Sequence, residues 1–125
     1  MTEDEMAKVI VHGAYLVHSS LGPGLLESTY EVCLAHEINK AGLKVVTQKA
    51  LPVFYDNLKL DAGYRLDLLV EDKVIVELKC VDAVHDIHFA QLLTYLKLSK
   101  LKLGLLINFN VENIGKGTKR IANGL

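Results

Sequence analysis

The N-terminal third of the chain carries two apolar patterns of helical period. Apolar positions three or four residues apart share one face of a helix, and the first pattern consists of Met6, Val9, Ile10, Ala14 and Val17. It predicts a helix over residues 4–20, which the run Leu21-Gly22-Pro23-Gly24 ends. The second pattern predicts a helix over residues 25–41, with Gly42 after it as a C-cap. Its inward residues are expected to be Leu26, Tyr30, Cys33, Leu34 and Ile38.

Beyond the second helix the pattern changes to the short apolar runs that are typical of strands. Residues 44–55 are rich in strand-forming types, with Pro52 predicting a bulge or an edge position, and Asp56-Asn57 predicts a turn. Further predicted elements are a strand over residues 58–70 bent at Gly63, a strand over 74–80, a helix over 86–99, a buried strand over 103–108 and a short strand near 119–121. This order predicts one α/β domain over residues 1–125, with a mixed central sheet that is flanked by helices and begins with three antiparallel strands.

The register of the hairpin around residues 66–79 can be derived from side-chain alternation. A shift of one residue moves every side chain to the other face of a strand. The pairs that follow from a three-residue loop, Glu71-Asp72-Lys73, are Val70 with Val74, Leu68 with Val76 and Leu66 with Leu78. They give one fully apolar face, whereas a two-residue loop would mix polar and apolar residues on both faces. The longer loop is therefore predicted, although it lacks the glycine that such loops favour.

In this register the second face of the hairpin places Asp67 opposite Glu77, and Arg65 opposite Lys79. Like charges directly opposite each other repel, and a bound cation would offset that repulsion. Mg²⁺ is typically held by one or two carboxylates together with waters and phosphate oxygens. Lys79 could orient an attacking water or stabilise phosphate charge. The alternative is a solvated sheet face with ion pairs between Arg65 and Glu77 or between Asp67 and Lys79.

Two helices carry further candidate residues. Glu27 and Tyr30 share a face at the start of the second helix, so Glu27 could bring a third acid to the hairpin. Alternatively, Glu27 complements the helix dipole and Tyr30 packs in the core. Gln91 and Tyr95, one turn apart on the later helix, could hydrogen-bond a phosphate or a base, or could simply cover the rim of the core.

Composition limits the classes of function that remain. The 125 residues are 50% apolar with a net charge of −1, so the chain is globular and lacks the basic surface with which proteins grip duplex nucleic acid broadly. No apolar run approaches the ~18 residues of a membrane span, and the acidic N-terminus is unlike a signal peptide. We therefore expect a cytoplasmic protein without a membrane partner. Cys33 and Cys80 lack metal-type spacing and are expected to be free, buried thiols.

The spacing Gly24-x-x-Glu27-x-x-Tyr30 resembles the signature of the GxxExxY proteins, a bacterial and archaeal group of the PD-(D/E)xK nuclease superfamily. The resemblance extends over nearly the whole chain and implies a restriction-endonuclease-like core. The residue before Asp67 is Leu66, where the pattern in the superfamily's name has proline. This departure does not change any of the groups that would take part in the chemistry.

The resemblance also implies roles for individual residues. Asp67 would be the first metal-binding acid, Glu77 the second and Lys79 the catalytic lysine, with the backbone carbonyl of Leu78 as a further ligand. Glu27 matches the helix-borne acid of the branch typified by RecB and lambda exonuclease. Gln91 and Tyr95 match the Q-x-x-x-Y helix motif of the same branch.

These features predict a Mg²⁺- or Mn²⁺-dependent nuclease that hydrolyses phosphodiester bonds, with DNA favoured over RNA as the substrate. Tyr30, Gln91 and Tyr95 would contact the substrate strand. The alternative is a non-catalytic module of the same fold that binds nucleic acid or a protein partner. Near-neutral charge and small size favour this alternative, because the chain has little room for a substrate-recognition element and could act as a homodimer or in a larger complex.

Overall fold

The structure, a computed structural model, describes residues 1–61 and 63–125. Within them the chain forms helices of unequal length around one principal sheet and a separate two-stranded hairpin. The helices are α1 (Glu3–Leu21), α2 (Glu27–Lys40), α3 (Asp86–Ser99) and α4 (Ile114–Gly117). The strands are β1 (Val45–Ala50), β2 (Val53–Tyr55), β3 (Leu58–Leu60), β4 (Arg65–Val70), β5 (Val74–Lys79), β6 (Leu103–Asn108) and β7 (Thr118–Ala122).

The predicted first helix is confirmed, and its start has a clear local cause. Thr2 and Glu5 form a capping box, in which the Glu5 N–H donates to Thr2 Oγ1 at 3.1 Å and the Thr2 N–H donates to Glu5 Oε1 at 2.9 Å. Of its predicted inward residues, Val9 alone is half-buried, and the others are buried. No helix in the described part of the chain is long and apolar enough to cross a membrane.

The second helix begins two residues later than predicted. Leu26 is its N-cap and is exposed, so the prediction that Leu26 faces the core is wrong. The cause is the loop before it, where Gly24 has a φ of 99° that L side chains rarely adopt. At the other end Gly42 follows the C-cap Ala41 with a φ of 94°, as a glycine just past a helix end does.

The principal sheet has the order β1-β4-β5-β6-β7, and β5 and β6 are its parallel pair. The predicted mixed sheet is therefore confirmed, and α3 is the crossover that a parallel pair requires. Helices α1 and α2 cover one face, where Leu68, Val76 and Leu78 are buried. Helix α3 covers the other face, where Ile75 and Leu106 are buried. Both thiols, which are free, lie half-buried against the first of these clusters.

The prediction of one strand over residues 58–70 is wrong. Residues Leu58–Leu60 pair with β2 in their own two-stranded sheet, and Arg65–Val70 pair with β1 and β5. A tight turn at Asp56-Asn57, predicted from the sequence, closes the small hairpin, and Gly63 with a φ of 80° redirects the chain before β4. The chain therefore carries a small hairpin outside the core, which the apolar pattern did not predict.

The hairpin of β4 and β5 has the predicted register where the strands pair. Val70 lies opposite Val74 and Leu68 opposite Val76, and the three-residue loop closes with the Lys73 N–H donating to the Val70 carbonyl at 2.9 Å. In place of a glycine, Glu71 and Asp72 adopt φ values of 51° and 55°. The loop length is thus confirmed despite its unfavourable residue types.

The predicted pair of Leu66 and Leu78 is not formed. Leu66 packs on the α3 side of the sheet, whereas Leu78 packs against α1 and α2. Strand β1 pairs Thr47 with Leu68 and Lys49 with Leu66, and Gln48 between them has a φ of 52°. This left-handed residue lies in the β1 strand at the point where the alternation of side chains along β4 is interrupted.

Candidate active site

Asp67 and Glu77 lie where the pairing of β4 with β5 ends. The last pair of the ladder is Leu68 with Val76. Beyond it, the Leu78 N–H donates to Asp67 Oδ2 at 2.9 Å, and the Asp67 N–H donates to Glu77 Oε1 at 3.2 Å. Each carboxyl group thus binds the backbone of the opposite strand, and the two acids are held together by hydrogen bonds that replace the ladder.

Glu77 is buried, with 5% of its surface exposed. Burial raises the pKa of its carboxyl group to about 9, and the nearby charge of Asp67 also raises it. The Lys79 ammonium lowers this pKa only in part. Glu77 is therefore protonated at neutral pH and is directed towards Asp67, with which it shares a hydrogen bond, and not only into apolar surroundings.

Helix α2 brings further acids to Asp67. Desolvation raises the pKa of Glu27, the charge of Asp67 raises it further, and the Lys79 ammonium opposes both effects. Glu31, one turn along the same helix, also has a raised pKa, because of burial and of Asp67. The charge of Asp67 thus acts on both of these helix-borne acids.

Gln48 and Glu31 belong to this cluster but were missed from the sequence. The Gln48 side-chain amide donates to Glu31 Oε1 at 2.6 Å and to Asp67 Oδ1 at 3.4 Å. It thereby joins α2 to β4 across the acids. The spacing of Glu31, four residues after Glu27 on the same helix face, could have indicated it. No sequence signal marks Gln48, since its role depends on its φ of 52° and on the pairing of β1 with β4.

Tyr30 does not contact solvent, so its assignment to substrate binding is corrected. Its ring is fully buried and stacks on Phe109, with ring centroids 4.5 Å apart. Its hydroxyl group donates to the Gly22 carbonyl at 2.5 Å and accepts from the Leu25 N–H at 3.1 Å. The alternative, that Tyr30 packs, is the one observed. Tyr30 fixes the loop from which α2 presents Glu27.

Gln91 and Tyr95 lie on α3 with different environments. Tyr95 is buried, and burial followed by the charge of Glu77 raises the pKa of its hydroxyl group. Its ring meets that of Tyr64 edge-on, with centroids 6.3 Å apart. Gln91 is exposed, and both residues line one groove of about 540 Å³. The structure therefore brings Tyr95 near the acids and leaves Gln91 accessible beside it.

The ion pairs that a solvated sheet face would contain, Arg65 with Glu77 or Asp67 with Lys79, are not formed. Across residues 1–61 and 63–125, the ion pairs are Lys44 with Asp72 and Arg120 with Asp4, both at the surface. Lys79 therefore has no carboxylate partner within ion-pair distance, although its charge influences Glu77 and Glu27. The polar face of the hairpin is not a set of solvated ion pairs.

The acids fit a metal that needs few protein ligands. In the described part of the chain, no group of three or more His, Cys, Asp or Glu side chains is assembled for metal binding. Mg²⁺ commonly uses only one or two carboxylates and completes its shell with water and phosphate. Asp67 and Glu77 supply two such hard oxygen groups. Burial and the charge of Asp67 raise the pKa of Glu77, and the Lys79 ammonium offsets them only in part, so a cation beside the two acids would favour the ionised form of Glu77.

A mixed sheet flanked by helices, with an acid and an acid-x-Lys triplet at one end of a hairpin, agrees with the restriction-endonuclease-like class of α/β folds. Residues 4–121 match the family model described as the PD-(D/E)XK nuclease superfamily, and the chain belongs to that superfamily. Neither the curated proteins nor the solved structures gave a match.

Proposed function

We propose that the protein is a nuclease that hydrolyses phosphodiester bonds of nucleic acid with the help of Mg²⁺ or Mn²⁺. The observation that carries the proposal is that the Asp67 and Glu77 carboxyl groups each accept from a backbone N–H of the opposite strand at the end of the hairpin, that of Leu78 and that of Asp67 respectively. Membership of the superfamily supports it. The spacing of Gly24, Glu27 and Tyr30 supports a finer assignment to the GxxExxY proteins.

The roles of the acids follow from their positions and charges. Asp67 and Glu77 would hold the metal with the backbone carbonyl of Leu78, and Glu27 would assist directly or through water. When bound, the metal would activate water and neutralise charge that develops on the phosphate. Because Glu77 is protonated at neutral pH, it must release a proton before it can act as a ligand.

Other residues would serve the substrate. Lys79 is half-buried and without an ion-pair partner in the described residues, so its ammonium group is available to a phosphate or to the attacking water. Gln91 and Tyr95 would hold the substrate strand from α3. Gln48 would keep Asp67 oriented, since its amide group donates to the Asp67 oxygen that does not accept from Leu78.

Metal binding and cleavage test this proposal together. Calorimetry with Mg²⁺ and Mn²⁺ is expected to show binding to the wild type and its loss in Asp67→Asn. Single- and double-stranded DNA and RNA are expected to reveal cleavage that EDTA and Lys79→Ala abolish. Lys73→Ala is the matched control, because Lys73 is an exposed lysine of the same hairpin and is expected to leave cleavage unchanged.

The alternative function is a non-catalytic module of this fold. The observation that favours it is that, in the described part of the chain, the clustered acids do not form a group of three or more side chains arranged to hold a metal ion. Wild-type protein that binds neither cation and cuts none of the four substrates would establish this alternative and overturn the nuclease proposal.

A further inference from the structure

The small hairpin of β2 and β3 presents apolar side chains that nothing in the described chain covers. Val53 pairs with Leu60 and Tyr55 with Leu58, so these four side chains share one face of the hairpin. Tyr55 is 67% exposed, and both leucines are also exposed. An isolated two-stranded hairpin is marginally stable in water. An exposed apolar face on such a hairpin therefore indicates a surface to which another molecule binds.

That face forms one wall of the groove that also contains the end of α3. We call it the aromatic groove, and define it by Val53, Leu60, Tyr64, Ile87, Gln91 and Tyr95. Its volume of about 540 Å³ is within the range of binding sites for small ligands. Its lining includes no charged residue. An uncharged, flat and partly apolar group is therefore its best occupant.

Tyr95 and Tyr64 connect the aromatic groove to the candidate active site. Tyr95 lines the groove, and the charges of Glu77 and Asp67 raise the pKa of its hydroxyl group. Tyr64 meets Tyr95 edge-on and directly precedes Arg65, the first residue of the strand that carries Asp67. The groove is therefore placed to receive another part of a polymer whose phosphate lies at the acids.

Exposed aromatic residues are concentrated here. The described residues expose four aromatic side chains, and three of them, Phe54, Tyr55 and Tyr64, lie on or beside the small hairpin. The fourth, Tyr15, is on α1 and lines different cavities. Aromatic side chains that stack with successive bases are the usual means by which proteins bind unpaired strands without sequence preference.

We infer that the aromatic groove binds the unpaired bases of a single-stranded nucleic acid whose phosphates lie at the acids. The inference deepens the proposed function, on which its placement of the phosphates rests. Tyr64 provides a stacking surface in the groove, Tyr55 provides another beyond the groove on the same face of the small hairpin, and Gln91 provides hydrogen-bonding groups. A net charge of −1 argues against a duplex, whose bases are enclosed and whose binding depends mainly on phosphate contacts. Stacking supplies the affinity that charge does not.

Binding in EDTA separates this inference from the nuclease proposal, because no cleavage is required. A fluorescent twelve-nucleotide thymidine strand is compared with an abasic strand of the same length and with a duplex. The thymidine strand is expected to bind at least tenfold more tightly than either. Because the lining of the groove includes no charged residue, log Kd should change only weakly with log salt, by a slope of about 1.4 or less, which roughly two phosphate contacts on a single strand predict.

Substitutions locate the binding surface. Tyr64→Ala and Tyr55→Ala are each expected to weaken strand binding about 5- to 100-fold, the range for losing one stacked base. Tyr64→Phe should retain wild-type affinity. Phe54→Ala is the matched control, because Phe54 is 62% exposed on the other face of the same hairpin, where Lys59 lies over its ring. Tyr15→Ala is a second control, on α1. Urea unfolding of each variant checks that the fold is kept.

Several outcomes would overturn the inference. Equal binding of thymidine, abasic and duplex molecules would show contact with phosphates alone. Wild-type affinity in a folded Tyr55→Ala and Tyr64→Ala double variant would exclude stacking in the groove. If the double variant instead converts a dimer to a monomer in sedimentation and leaves strand binding unchanged, a second copy covers the groove. Strand binding without any Mg²⁺-dependent cleavage would retain the inference and reject the nuclease proposal.

Discussion

Replacing Glu77 by glutamine is expected to stabilise the protein in EDTA, by an amount that grows with pH. The pKa of Glu77 is raised from an ordinary value of 4.5 to about 9 by burial and by Asp67. Between these two values the folded state keeps a proton that the unfolded chain has lost. The stability present below the unfolded pKa is therefore lost as pH rises towards the folded pKa. The loss is about 1.4 kcal/mol per pH unit.

The size of the effect at neutral pH follows from this slope. From the unfolded pKa to pH 7, the wild type loses roughly 3 kcal/mol of unfolding free energy through Glu77. Glutamine does not titrate, so Glu77→Gln avoids that loss. This loss of unfolding free energy is larger than the ~0.2–1 kcal/mol by which two like charges destabilise a solvated strand pair. It is larger because Glu77 is buried. Glu27 and Glu31 also have raised pKa values. Because the wild type and Glu77→Gln both contain these two residues, the difference in unfolding free energy between the two proteins reports on Glu77 alone.

Urea unfolding from pH 5 to pH 9 in EDTA measures this difference. Glu112→Gln serves as the control, because Glu112 is exposed and far along the chain from the acids. In saturating Mg²⁺ the wild type should instead be more stable than Glu77→Gln, because a ligand stabilises only a folded protein that binds it. A difference between Glu77→Gln and wild type that stays constant with pH would refute the assignment of a buried, protonated Glu77.

Three further results are expected. The affinity for Mg²⁺ should rise about tenfold per pH unit from pH 6 to pH 8, because binding displaces the Glu77 proton; calorimetry that shows no pH dependence would contradict this. Gln48→Ala should weaken Mg²⁺ binding about 10- to 100-fold while the fold is kept, since it removes a partner that orients Asp67; the same titration checks it against Lys49→Ala. Tyr30→Phe should lower the unfolding free energy by about 1–3 kcal/mol, because it removes two hydrogen bonds of about 0.5–1.5 kcal/mol each, to the Gly22 carbonyl and from the Leu25 N–H; urea unfolding that matches wild type would show that this contact is unimportant.

The sequence by itself determined the local elements and one register. The helix over Asp86–Ser99 and the strand over Leu103–Asn108 have the predicted bounds, because their apolar patterns are long and their breakers are clear. The pairs of Val70 with Val74 and Leu68 with Val76 also follow from alternation and loop length alone. These properties depend on neighbours along the chain, which the sequence states directly.

Only the tertiary structure decided which surfaces meet. Periodicity predicts which side chains share a face but not what covers it, so the burial of Glu77 could not be foreseen, and only the structure decided between the two interpretations of Tyr30. The same reason applies to Gln48, whose contacts join a helix and two strands that are distant in sequence. The break between β3 and β4 depends on a backbone turn near Gly63. Long-range packing, and not local preference, places the small hairpin beside α3 and gives the chain its aromatic groove.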